Sequence, residues 1–103
     1  MFVTSIRSDD DGVSTLVVTG ELDLASAPEF RRALRTAEAD GTVTVDLTGV
    51  AFIDSVGVGL LIGSGRRVHE AGGRLWVVVA AGRVRRLLVA CRVDQLVGIV
   101  DAQ

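Results

Sequence analysis

Few groups in this sequence are equipped for chemistry, and most of them stand alone. There is one histidine, His69, and one cysteine, Cys91. A histidine-based triad or zinc site therefore has too few members, and no internal disulfide can form. Asp9, Asp10 and Asp11 run together before Gly12 and could attract a divalent cation, but an Asp-Gly step reads first as a solvated hairpin turn. Gly57, Gly59 and Gly63 follow a strand and invite a dinucleotide-binding reading. That fold needs an acidic residue closing the next strand, and here that strand closes on Val79-Ala80-Ala81. What remains is Asp54-Ser55, a hydroxyl directly after a carboxylate at the start of a helix. A serine there can cap the helix by accepting a hydrogen bond from an unpaired backbone N–H. The same position suits a phosphate, because a helix start presents N–H groups and partial positive charge. Hydrolytic use of Ser55 lacks a base: His69 is more than a dozen residues down the same helix, about 20 Å away at 1.5 Å per residue.

The elements that must position Asp54 and Ser55 follow from periodicity and punctuation. A weakly strand-like start through Ile6, the Asp9–Gly12 turn and a β-branched run from Val13 to Thr19 closed by Gly20 give two strands able to pair as a hairpin. Ser26-Ala27-Pro28-Glu29 reads as a helix start, with Ser26 as cap and Glu29 completing a capping box. Phe30, Ala33, Leu34 and Ala37 follow at helical spacing, and Asp40-Gly41 ends that helix. Thr42–Leu47 is a short strand to which Asp46 belongs, and a short loop then delivers Asp54 and Ser55. A second helix spans about Ser55 to Glu70, with His69 at its exposed end and Gly72-Gly73 as its stop. Its four glycines, Gly57, Gly59, Gly63 and Gly65, each cost roughly 1 kcal/mol against Ala, and close packing on the sheet is the expected reason. Arg74–Ala80, with the apolar run Leu75–Val79, reads as a strand covered on both faces, with Trp76 in the core. A third helix carries Val84, Leu87, Leu88 and Cys91 on one stripe, which makes Cys91 core; Arg83, Arg85, Arg86 and Arg92 form a solvated face. Leu96–Val100 supplies the last strand.

The order β-β-α-β-α-β-α-β predicts one α/β domain over residues 1–103, with a mixed, largely parallel sheet of about four to five strands and helices packed against it. At 103 residues and 49% hydrophobic, the chain can bury a core of that size. A net charge of -2 and four aromatics without a tyrosine argue against a nucleic-acid partner. The longest apolar run, Val56–Ile62, is far short of the roughly 20 residues of a membrane span. No signal peptide is expected, and a cytoplasmic protein without direct membrane insertion is.

Two segments carry a family resemblance. Asp46-Leu47, Val50 and Phe52-Ile53-Asp54-Ser55-Val56-Gly57-Val58-Gly59-Leu60, together with Gly20-Glu21-Leu22-Asp23 after an early strand, resemble the two markers of the STAS-domain anti-sigma factor antagonist family. The resemblance covers essentially the whole chain. It implies a regulatory binding protein and no enzyme, with no catalytic residue, cofactor or metal of its own. It implies phosphorylation at Ser55 by a partner that is both anti-sigma factor and serine-protein kinase, release on phosphorylation, and a resetting phosphatase. It places Asp23, Asp54, Ser55, Val56 and Gly57 on the partner-binding face, and it implies a monomer when unbound. Val56 departs from many relatives, which carry a second Ser or Thr there. The same family allows an alternative, a STAS subunit of a membrane lipid or anion transport complex.

Overall fold

In the computed structural model, which describes residues 1–39 and 41–102, chain order and sheet order coincide. Strands β1 (Val3–Ser8), β2 (Val13–Leu22), β3 (Thr42–Ile53), β4 (Leu75–Val79) and β5 (Gly98–Asp101) lie side by side as β1-β2-β3-β4-β5. The β1–β2 pair is antiparallel and the other three are parallel. The parallel connections carry helices α1 (Ala27–Glu38), α2 (Ser55–Glu70) and α3 (Arg83–Ala90), the last followed by a short 3-10 turn at Val93–Gln95. This is the α/β order and mixed sheet expected, with five strands.

Local chemistry accounts for the hairpin. The Asp9 carboxylate accepts from the N–H groups of Asp11 (2.9 Å) and Val13 (3.0 Å), and Gly12 takes the positive φ of 79° that the turn requires. Asp9 is thus occupied in shaping a turn. The end of α1 was expected at Asp40-Gly41; Asp40 lies outside the described residues, and α1 closes at Glu38 with Ala39 as its C-cap.

The sheet has one buried face. An inward row, Leu16, Val45, Val77 and Ile99, crosses β2 to β5 in register, while Ile6, paired with Leu16 on the edge strand β1, is exposed. The row meets Phe30, Leu34 and Ala37 of α1, Val58, Leu61 and Val68 of α2, and Val84 and Leu88 of α3 in a single core cluster. The opposite row, Arg7, Thr15, Thr44, Trp76 and Gly98, faces outward. Trp76 is therefore not core: it is 37% exposed, lies against Gly98, and holds the Arg74 guanidinium 4.7 Å from its ring. The apolar run of β4 alternates between buried and part-exposed residues instead of being covered on both faces.

Cys91 also departs from expectation. Helix α3 ends at Ala90, Cys91 is its C-cap, and Arg92 turns the chain away with φ 60°. The i+7 position of the stripe has no helix left to carry it, so the thiol is exposed.

Strand β3 is twice the length expected. Thr48-Gly49 reads locally as a breaker, yet pairing with β2 continues to Leu22↔Ile53. Between Val17↔Asp46 and Thr19↔Gly49, and again between Gly20↔Val50 and Glu21↔Phe52, β3 advances one residue further than β2. These two bulges shift the inward set from Val43, Val45 and Leu47 to Val50 and Ile53, all of them buried. Burial of Val50 and Ile53 outweighs the local turn preference, so no loop separates the strand from Asp54. Strand β2 likewise runs past Gly20, which has φ +107° and lies under the Met1-Phe2 backbone, where a side chain has no room.

Candidate functional site

The candidate site forms where β2 and β3 end together. Asp54, the first residue past β3, donates its N–H to the Leu22 carbonyl at the end of β2 (3.0 Å). That bond, with the Leu22↔Ile53 register, sets Asp23 and Asp54 on adjacent strand ends.

Asp54 is the N-cap of α2. Its backbone is extended (φ -109°, ψ -174°), and its carboxylate accepts from Val56 N (2.9 Å) and Gly57 N (3.2 Å). This corrects the reading of Ser55 as a helix cap: the aspartate takes that role one residue earlier, and Ser55 becomes the first helical residue, exposed to solvent. A carboxylate is the stronger acceptor for orphan N–H groups. Asp54 thus takes two of the N–H groups at the helix start that a cap at Ser55 would have used.

Asp23 is held by a second polar turn. Its Oδ1 accepts from Ala25 N (3.0 Å) and Ser26 N (3.2 Å), and its own N–H donates to Ser26 Oγ (3.1 Å). Ser26 Oγ in turn donates to the Glu21 carbonyl (2.7 Å). Buried Ser26 thus ties the β2 end to the start of α1 and makes no side-chain cap hydrogen bond. The capping box expected from Ser26 and Glu29 is absent because the serine hydroxyl is committed to Glu21, a contact not readable from local spacing.

Val56 is half-buried beside Ser55, whereas Gly57 is buried. A Cβ at Gly57 would lie 2.8 Å from Ile53 Cγ1 and 3.1 Å from Leu22 Cβ, so this glycine seats α2 on the two strand ends. Two apolar residues around the site were given no site role by the sequence reading. Leu24, in the Asp23–Ser26 turn, is 74% exposed, and Phe52, opposite Glu21 on the outward row, is 48% exposed. Leu24 could have been noticed as an apolar residue inside a polar turn. Phe52 could not, because its outward direction depends on the β3 bulges. Glu21, Asp23 and Glu29 line a cleft of about 260 Å³ on the same end. Among the described residues no group of three or more His, Cys, Asp or Glu side chains is placed to hold a metal ion. His69 is exposed at the far end of α2.

The family described as "Mlab, STAS domain" matches residues 6–100. The chain belongs to the STAS family. This STAS domain is 33% identical over 72 residues to the anti-sigma-B factor antagonist of Staphylococcus aureus (strain NCTC 8325 / PS 47), an alignment covering 68% of the chain and 67% of the relative. It superimposes on an anti-sigma factor antagonist from Mycobacterium paratuberculosis with a TM-score of 0.86 and 28% identity, over 97% of this chain and 86% of that one. The anti-sigma factor antagonist SpoIIAA in its unphosphorylated form gives a TM-score of 0.81 at 23% identity, over 98% and 89% of the two chains, and shows the shared fold. No helix among the described residues is long and apolar enough to cross a membrane.

Proposed function

We propose that this STAS domain is an anti-sigma factor antagonist that binds its anti-sigma factor when Ser55 is unmodified and releases it when Ser55 is phosphorylated. The observation that carries the reading is the exposed Ser55 at the first position of α2, with the helix capped independently by Asp54. The hydroxyl can therefore be modified without unmaking the helix start. Asp23, Asp54, Ser55 and Val56 form the contact surface, Gly57 fixes its distance from the sheet, and Leu24 and Phe52 add exposed apolar area suited to anchoring. The names of the curated relatives support an anti-sigma factor as partner. In this reading that partner is also the serine-protein kinase, a phosphatase resets the switch, and ATP belongs to the kinase.

A phosphate adds roughly 1.5 to 2 negative charges to a surface already carrying Asp23, Asp54 and Glu21. An unpaired charge buried at an interface costs about 2–5 kcal/mol, or roughly 30- to several thousand-fold in affinity. One modification is enough to switch binding. The test is intact-mass and site-mapping spectrometry after incubation with anti-sigma kinases of the same organism and Mg-ATP. A single phosphate on Ser55, lost in Ser55→Ala, is expected. Binding without phosphate would leave a constitutive antagonist. Neither binding nor phosphate would favour the second use of this family, a STAS subunit of a membrane lipid or anion transport complex, which co-purification with an ATP-binding transporter subunit would reveal.

A further inference from the structure

We propose that the free edge of β3 between Thr48 and Ile53 is a docking groove for an extended peptide segment carrying an apolar side chain and a carboxylate. The groove arises from unequal strand lengths. Pairing of β3 with β4 stops at Asp46↔Val78, while β3 continues along β2 to Ile53. Past that point the side of β3 turned away from β2 has no strand beside it, and at the first position of the stretch the Thr48 N–H is taken by Asp46 Oδ1 (2.9 Å). Two adjoining cavities follow this edge in place of a neighbour, one of about 280 Å³ reaching from Leu47 to Ala51 and one of about 220 Å³ reaching from Ala51 to Ile53. Ala51, Arg83 and Val84 border both.

The chemistry of the edge selects its occupant. An unpaired strand edge presents alternating N–H and C=O groups, and the complement of that array is another extended backbone. At about 3.3 Å per residue the open stretch accommodates a segment of five or six residues. Phe52, Val84 and Leu87 around the second cavity offer an apolar seat for one of its side chains. Arg83 is exposed and has no ion-pair partner among the described residues, which suits a carboxylate on the incoming segment. The groove runs into Asp54 and Ser55, so a segment lying in it reaches the switch surface from the side of α3. The groove goes beyond the Ser55 reading and does not depend on phosphorylation.

The experiment is amide shift mapping of the ¹⁵N-labelled chain with a blocked heptapeptide, Thr-Val-Asp-Val-Thr-Val-Thr, as probe. Saturable shifts confined to residues 48–53 and 82–87, with half-saturation at roughly millimolar peptide or below, are expected. Ala51→Trp, at an exposed position bordering both cavities, should weaken the probe about tenfold or more, since the indole occupies the groove. Arg83→Glu should weaken the Asp-bearing probe by a similar factor and restore binding to a probe with Lys in place of Asp. Absence of shifts, shifts elsewhere, or indifference to both substitutions would overturn the groove. Neither kinase nor anti-sigma factor enters this measurement, so its failure leaves the Ser55 reading standing.

Discussion

The first turn and the last turns of α2 differ in how their polar residues are used. At its start, Asp54 caps the helix and leaves Ser55 exposed, and a Cβ at Gly59 would meet nothing within 4 Å. Toward its end Ser64, Gly65 and Arg67 bind the helix to the domain. Ser64 is fully buried and donates to Glu38 Oε2 (2.6 Å), and Arg67 donates to the same carboxylate through Nε (2.7 Å) and Nη2 (2.9 Å). Gly65 lies where a Cβ would come within 2.7 Å of Val97 Cγ1. Burial alone would push the Glu38 carboxyl up. The hydrogen bonds from Arg67 and Ser64, with the positive charge of Arg67 and Arg35, outweigh that and hold it below the ordinary glutamate range. One helix thus carries an exposed end and an anchored end, and if the proposed function holds, partner binding and stability should respond to different substitutions.

The sharpest break between the two ends is at Ser55. Ser55→Asp is expected to weaken the anti-sigma factor complex by about 2–5 kcal/mol while the melting temperature stays within a degree or two, read by titration calorimetry and thermal unfolding of the same preparation. Undiminished binding would remove the functional contrast between the ends. At the anchored end, Glu38→Ala leaves Ser64 without its buried acceptor and Arg67 without its partner. A loss of about 1–3 kcal/mol in urea unfolding is expected, with partner affinity unchanged.

The anchored end also carries a pH signature. A carboxyl held below its unfolded value contributes stability that is present above the unfolded value and is lost as the pH falls through the folded one. The wild-type chain should therefore lose stability below about pH 4 more steeply than Glu38→Gln does. Parallel acid titrations would contradict the assignment.

The glycines give a contrast in sign. Gly65→Ala should destabilise by about 1–3 kcal/mol through overpacking against Val97. Gly59→Ala should stabilise by roughly 0.5–1 kcal/mol, because the helix gains propensity and no atom is displaced. Equal shifts of the same sign would show that the two glycines share one environment. The smallest effect is expected at the exposed Arg85–Asp101 pair (Nε–Oδ1 2.5 Å). The bridge is solvated on both sides, so Asp101→Asn should not move the midpoint beyond the scatter of repeat melts.

Much of this molecule was readable before any coordinates. The extent of α2, Ser55 to Glu70, agrees with the sequence reading because its start and stop are local: a capping group and Gly72-Gly73. The stripe Phe30, Ala33, Leu34 and Ala37 is buried as its period implies. The reading failed where a residue answers to a distant one. Ser26 is drawn from its helix by the Glu21 carbonyl, Thr48-Gly49 is held in a strand by β2, and Trp76 is turned outward by its place in the register. Of the expected glycine packing, Gly57 and Gly65 meet close neighbours and Gly59 does not.

By itself the sequence determined the element order, the hairpin, the helix carrying Ser55 and the family, since each depends on residues close in the chain or on a motif read whole. Only the tertiary structure decided that Asp54 caps α2 with Ser55 exposed beside it, that Asp23 stands on the neighbouring strand end, and that β3 outruns β4 to leave an open edge. Those outcomes depend on strand register and on competition for hydrogen-bond acceptors between segments far apart in the chain. Neither is a property of any local stretch of residues.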